Sequence, residues 1–225
     1  MKLKKYIFHI ISLILCAISI ILNLKEVKAF NIEPVESIVA EVSIFAYYDT
    51  AQSDSSLSHK YGHVFILVDN LSSNSITVGK LSINAKSSVT IGTWENKGCH
   101  SGVFYNLESY FANNGSYKGR VSITEAIASE QLVTLSNNIC NNDAWTTINN
   151  CSNFAIKVWN SFSSTNIKSS IINTREKLRN NLLKLDYKTN KSTDFNSKIG
   201  YCEFNIFIAY NISNISLADL NDCSL

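Results

Sequence analysis

A chain of 225 residues with 45% hydrophobic and 17% charged side chains carries enough apolar material for one sizeable globular core. Its formal charge of +2 comes from the first 29 residues, which hold five lysines against one glutamate; without them the remainder stands at −2. A nearly neutral body with no basic block lacks the electrostatic footprint that nucleic acid attracts, so nucleic-acid binding is not expected.

The N-terminus reads as a secretory leader. Met1-Lys2-Leu3-Lys4-Lys5 is a basic start, Tyr6 to Leu24 is an apolar run, and Val27 and Ala29 frame a cleavage site. Residues 1–29 are therefore assigned to a signal peptide, with residues 30–225 as one exported domain in the secreted or cell-envelope fraction. The apolar run is long enough to span a bilayer if it is left uncut, as an anchor. Cys16 is no lipid-attachment site, because Leu15 precedes it where a small residue belongs. No later segment is apolar enough to span. The richness in asparagine, lysine and isoleucine reads as compositional bias without functional content.

Glu36 to Tyr48, rich in valine, isoleucine and aromatics, predicts a strand; the serine-rich Asp49 to Lys60 predicts a loop. Tyr61 to Val68 is apolar on both faces and predicts a central strand. Ile76-Thr77-Val78 and Val89-Thr90-Ile91 alternate as further strands, joined by connections too short for crossover helices, so the sheet is expected to be antiparallel. A helix is predicted from Tyr105 to Asn113 with Gly115 as its cap, then a strand at Gly119 to Ile123. A helix follows whose apolar face is Leu132, Leu135 and Ile139, started by Ser122 with Glu125 or by Ser129. Thr174 to Leu185 predicts an amphipathic helix, and Tyr201 to Ile208 a final strand. The expected class is α+β, an antiparallel sheet packed against helices.

The stretch with most chemical promise is Ile148-Asn149-Asn150-Cys151-Ser152-Asn153-Phe154-Ala155. Asn150 is a good N-cap, and apolar residues at Phe154, Ala155, Val158, Trp159 and Phe162 have helical spacing. Cys151 shares that face and sits where the helix dipole favours a thiolate. The plainer reading of such a residue is a small buried hydrophobe.

Five cysteines follow the leader: Cys99, Cys140, Cys151, Cys202 and Cys223. The odd count leaves one thiol over. If that is Cys151, the other four can make two bridges, with Cys202 and Cys223 the first pairing to expect. No CxxC or clustered His/Cys spacing occurs, so neither a metal nor another cofactor is expected.

A cysteine nucleophile needs a base, and only His59, His63 and His100 follow the leader. His59 lies in the polar loop. His63 opens an apolar strand, where an imidazole has no packing reason to be; the plainer reading is a histidine bonded to a backbone carbonyl. Thr93, His100, Asn106 and Glu108 are candidates for the group that orients the base, with His100 the nominal choice.

Gly62-His63-Val64-Phe65-Ile66 followed much later by Asn150-Cys151-Ser152-Asn153-Phe154-Ala155 resembles the circularly permuted papain-like fold. That group is related to the NlpC-type cell-wall peptidases and includes lecithin:retinol acyltransferase-like proteins. The segments Val89 to Trp94 and Val103 to Glu108 are also similar to secreted bacterial proteins of this kind. The resemblance covers roughly Glu36 to Phe162. It implies Cys151 as nucleophile and His63 as base; His100 stays the nominal third group, and Asn150, Asn106 and Trp94 are the candidates for positions beside the substrate. The implied function is a monomeric exported cysteine hydrolase, an amidase or peptidase forming an acyl-enzyme on peptide or cell-wall substrates. No membrane association is expected once the leader is removed. Two other readings share the fold: a non-catalytic module binding wall polymer or a partner, and a lipid acyltransferase or thioesterase.

Overall fold

The computed structural model describes residues 14, 37–48, 62–94, 102–168, 173–194, 198–204 and 206–211. The expected signal segment, the Asp49 to Lys60 loop, His59, Cys99, His100 and Cys223 lie outside or almost wholly outside these residues.

Strands β1 (Ile38–Tyr47) and β2 (His63–Asn70) pair antiparallel in unbroken register, from Ala40 opposite Asn70 to Tyr47 opposite His63. They form the middle of an eight-stranded sheet in the order β10-β9-β6-β5-β2-β1-β7-β8. Its other members are β5 (Ser88–Thr93), β6 (Val103–Tyr105), β7 (Val121–Ala128), β8 (Lys188–Thr189), β9 (Lys198–Glu203) and β10 (Ile206–Asn211), with every pairing antiparallel. Four helices are described: α1 (Leu107–Asn113), α2 (Ser129–Asn141), α3 (Cys151–Phe162) and α4 (Arg175–Leu182). The α+β class with an antiparallel sheet is as the sequence implied. Among the described residues, no helix is long and apolar enough to cross a membrane.

The central strands read as apolar throughout because both faces are covered. Val42, Ile44 and Ala46 of β1 and Val64, Ile66 and Val68 of β2 share a core with Leu135 of α2, Phe154 and Trp159 of α3, and Leu178 and Leu182 of α4. The alternate residues Phe45, Phe65 and Leu67 share another with Leu107 and Phe111 of α1 and with Tyr117. Burying one such aliphatic or aromatic side chain is worth about 1.5–3 kcal/mol, so each face locks the register of the pair.

Gly62 sets the entry to β2. It sits at φ +91, and a Cβ there would lie 2.2 Å from the Tyr47 carbonyl oxygen. Only glycine fits both demands. The residue after it, His63, is thereby fixed at the end of the sheet.

Several elements differ from expectation. Ile76–Val78 pairs with Leu81–Ile83 as β3 and β4 of a separate hairpin, outside the main sheet. Tyr105, expected to open the helix, instead ends the sheet strand Val103–Tyr105, and α1 starts at Leu107. Strand β7 runs on to Ala128, so Ser122 and Glu125 lie within it; the α2 start is closed by Gln131, whose Oε1 accepts the Ala128 N–H at 3.0 Å. The terminal strand is two, β9 and β10, folded as a hairpin with Phe204 at φ +49. The expected Cys202–Cys223 bridge is not formed. Cys202 is a free, buried thiol on β9, between β6 and β10, pointing at Asp143 Oδ2 at 3.8 Å.

Candidate active site

The cysteine helix begins where asparagines make the turn. Asn149 Nδ2 donates to the carbonyls of Asn142 (3.1 Å) and Ala144 (2.8 Å), folding the preceding segment back on itself. Lys157, two turns into α3, donates to Asn149 Oδ1 at 3.1 Å. Asn150 is the N-cap: its Oδ1 accepts the N–H groups of Ser152 and Asn153, both at 3.0 Å, and its carbonyl accepts Phe154 N–H at 2.9 Å. Among the described residues, that leaves the Cys151 N–H as the donor of the first turn without a protein acceptor. The asparagine content therefore does have a role here, because turn and cap geometry favour that side chain.

Cys151 is 3% exposed and packs with the α3 face of the core, while His63, 4% exposed, follows the alternation of Phe65 onto the α1 face. They meet as hydrogen-bond partners, thiol to imidazole. The other ring nitrogen is committed elsewhere: His63 Nε2 donates to Glu108 Oε1 at 3.0 Å. That leaves Nδ1 for the sulfur, and a histidine bonded on both sides in this way is held in one ring orientation.

Glu108 lies in the first turn of α1 and is wholly buried. Helix α1 is docked on β5 by Ser109, whose N–H and hydroxyl both reach Thr90 Oγ1 at 3.1 Å. Gly92, one strand residue from Ile91, provides the room: a Cβ there would lie 2.1 Å from Glu108 Oε1 and 3.0 Å from His63 Nε2. Trp94 Nε1 donates to the same Glu108 oxygen at 2.8 Å, and its ring centroid is 4.2 Å from that of His63 at a 37° tilt. An indole face that close favours a charged imidazole.

The electrostatics follow from these contacts. Burial alone would lower the His63 pKa; hydrogen bonds to Cys151 and Glu108, then their charges, outweigh it and raise the ring to about 9. Burial alone would raise Cys151; the His63 hydrogen bond and charge, followed by the charge and hydrogen bond of Arg175, bring the thiol down to about 6. Between these values the pair is thiolate and imidazolium. The other described thiols go the opposite way, burial raising Cys140 and pushing Cys202 up to about 11.

Of the residues selected from sequence, the structure brings together Cys151, His63 and Trp94. Asn150 serves the cap. Asn106 precedes α1 at φ +66 and donates through Nδ2 to the Lys198 carbonyl at 3.1 Å, tying α1 to β9. Thr93 is buried in β5. Among the described candidates for the orienting group, Glu108 is the one bonded to His63; the nominal choice, His100, lies outside the described residues. Arg175 is the one member that sequence reading did not select. Its signal was electrostatic: a cation opening a helix stands against the dipole. Among the described residues, no group of three or more histidine, cysteine, aspartate or glutamate side chains is placed to hold a metal ion. Comparison of the chain with family models, with curated proteins and with solved structures found no match.

Proposed function

We propose that this chain is an exported cysteine hydrolase of the permuted papain-like kind, cleaving amide bonds of peptides, with cell-wall peptides as the first substrates to examine. The observation that carries the reading is the linked series Cys151–His63–Glu108, with the thiol at a helix N-terminus and the imidazole fixed between sulfur and carboxylate. A cysteine buried merely for packing needs no such partners.

In this reading the Cys151 thiolate attacks the substrate carbonyl carbon, and the C=O electron pair moves to oxygen. The Cys151 N–H and the α3 dipole stabilise that oxyanion. His63 passes its proton to the leaving nitrogen as the C–N bond breaks, leaving a thioester and a free amine. Water then gives a proton to the neutral His63 while its oxygen attacks the thioester. The C–S bond breaks, releasing the acid and restoring thiolate and imidazolium. The Glu108 carboxylate, bonded to His63 Nε2, stabilises the imidazolium whenever it is present.

Incubation with p-nitrophenyl acetate tests this without a known substrate. The expected result is a burst of nitrophenol with an acetyl adduct on Cys151, and no adduct at any residue in Cys151→Ala. His63→Ala should slow acylation by at least about 100-fold, the scale of acid–base catalysis by a positioned side chain. A folded protein that shows neither burst nor adduct favours the binding module.

A further inference from the structure

Thr93 is the last residue of β5, and strand alternation fixes the side of the sheet it faces. Thr90 and Gly92 face α1, the one bonded to Ser109 and the other making room for Glu108. Val89 and Ile91 face the opposite way, into the core that holds Cys151 and Phe154 of α3. Thr93 shares their side, opposite Val103, which belongs to that same core. It also lies at the end of the sheet where α3 begins. Trp94 N–H donates to the Gly102 carbonyl at 3.1 Å, Gly102 bridges Ala144, and Asn149 Nδ2 reaches the Ala144 carbonyl at 2.8 Å, two residues before Cys151.

The Thr93 side chain is 1% exposed, and among the described residues its Oγ1 has no hydrogen-bond partner. A buried hydroxyl left in that condition costs free energy that valine, of the same shape, would not. Ser88 and Ser122 are in the same condition, but Ser88 opens β5 at its far end and Ser122 lies opposite Phe45 on the α1 side. Thr93 is the hydroxyl on the Cys151 side of the sheet and at the Cys151 end. The Cys151 N–H supplies one donor to an oxyanion formed there, and an oxyanion has room for more than one.

We propose that Thr93 is a catalytic residue, the second oxyanion donor of the Cys151 site. This rests on the cysteine-hydrolase reading and adds to it a residue outside the Cys151–His63–Glu108 series. As the thiolate adds to the carbonyl carbon and the C=O electron pair moves to oxygen, the Thr93 hydroxyl donates a hydrogen bond to that oxygen beside the Cys151 N–H. The proton stays on Thr93 throughout, and the bond weakens when the C=O re-forms and the leaving group departs. A donor that is unpaired in the resting site and paired when charge develops lowers the barrier without tightening the ground state.

Two reagents at the same sulfur separate this role from a structural one. Acylation by p-nitrophenyl acetate passes through an oxyanion, whereas alkylation by iodoacetamide displaces iodide at a saturated carbon and forms none. In Thr93→Val the acylation burst should slow by about 100-fold, the scale of one oxyanion donor. Alkylation of Cys151 at pH 7 should stay at the native rate, and the melting temperature should be no lower than that of the native protein. Thr93→Ser keeps the donor and should retain most of the native acylation rate. Acylation unchanged in Thr93→Val, or slowed only in step with alkylation, overturns the donor role and leaves the hydrolase reading standing. A Thr93→Val chain that fails to fold also overturns it, since the hydroxyl would then be needed for structure. A native protein that forms no acetyl adduct on Cys151 overturns the hydrolase reading and this one with it.

Discussion

Glu108 accepts the Nε2–H of His63 at 3.0 Å, across 45 residues of sequence and between two elements that share no backbone ladder. The carboxylate is wholly buried, and both of its donors, His63 and Trp94, fall on Oε1; among the described residues, Oε2 has no hydrogen-bond partner. Its charge is therefore offset chiefly by the imidazolium. A buried carboxylate so dependent on one histidine couples its own stability to the protonation of the base.

Glu108→Gln tests that coupling. The amide oxygen can still accept from His63 and Trp94, so the ring keeps its orientation while the charge is lost. The His63 pKa should fall and the Cys151 pKa rise, each by about one unit, and acylation at pH 7 should slow by about 10- to 100-fold. Titration of the His63 ring by NMR checks the first effect directly, and burst kinetics check the second.

Gly92→Ala reaches the same contact from the other side. The new methyl would sit where Glu108 Oε1 now lies, and that oxygen is the far end of a flexible side chain. The fold should absorb the change, with a loss of about 1–3 kcal/mol from displacing a buried polar group. Acylation should drop at least as far as in Glu108→Gln. Thermal unfolding set beside burst kinetics separates the small stability effect from the large catalytic one.

Asn150 distinguishes cap from charge. Asn150→Ala should cost about 1 kcal/mol of stability through the two lost cap hydrogen bonds. Asn150→Asp keeps the cap and places a negative charge beside the sulfur. It should leave the melting temperature near that of the native protein and raise the Cys151 pKa, since a like charge disfavours the thiolate. Denaturant melts and alkylation profiles of the two variants check both directions.

The linked titrations also fix how acylation depends on pH. The thiolate is lost as pH falls through about 6, and the imidazolium that protonates the leaving group is lost as pH rises through about 9. Turnover on an amide should therefore follow a plateau between those limits and decline on either side. Trp94→Phe removes the Nε1–H donor and weakens the contact above the imidazolium. It should bring the alkaline limb down while moving the acid limb less.

What could be read from sequence was local. Asn150 and the spacing of Phe154, Ala155, Val158 and Trp159 announce a capped helix with Cys151 on its buried face, and Gly62-His63 announces a constrained entry to a two-sided strand. Glu108 was one of four candidates and ranked behind His100, because an acidic residue in a first helical turn has a sufficient local explanation in the dipole. Its burial depends on α1 docking on β5, and the cue was a glycine in mid-strand at position 92. Val103–Tyr105 is too short an apolar run for periodicity to tell strand from helix. The β9–β10 turn uses Phe204 at positive φ, a conformation that a phenylalanine does not advertise. Arg175 could be placed only once α3 and α4 were seen to start at the same point, where Asn173 donates to Asn153 Oδ1.

The central claim is that Cys151 and His63 are a thiolate–imidazolium pair, and the rate of Cys151 alkylation by iodoacetamide as a function of pH measures it most directly. The account predicts a rise with a midpoint at about 6 in the native protein, displaced upward in His63→Ala. A midpoint near the ordinary thiol value of 9.0, or a profile unchanged by His63→Ala, would contradict it.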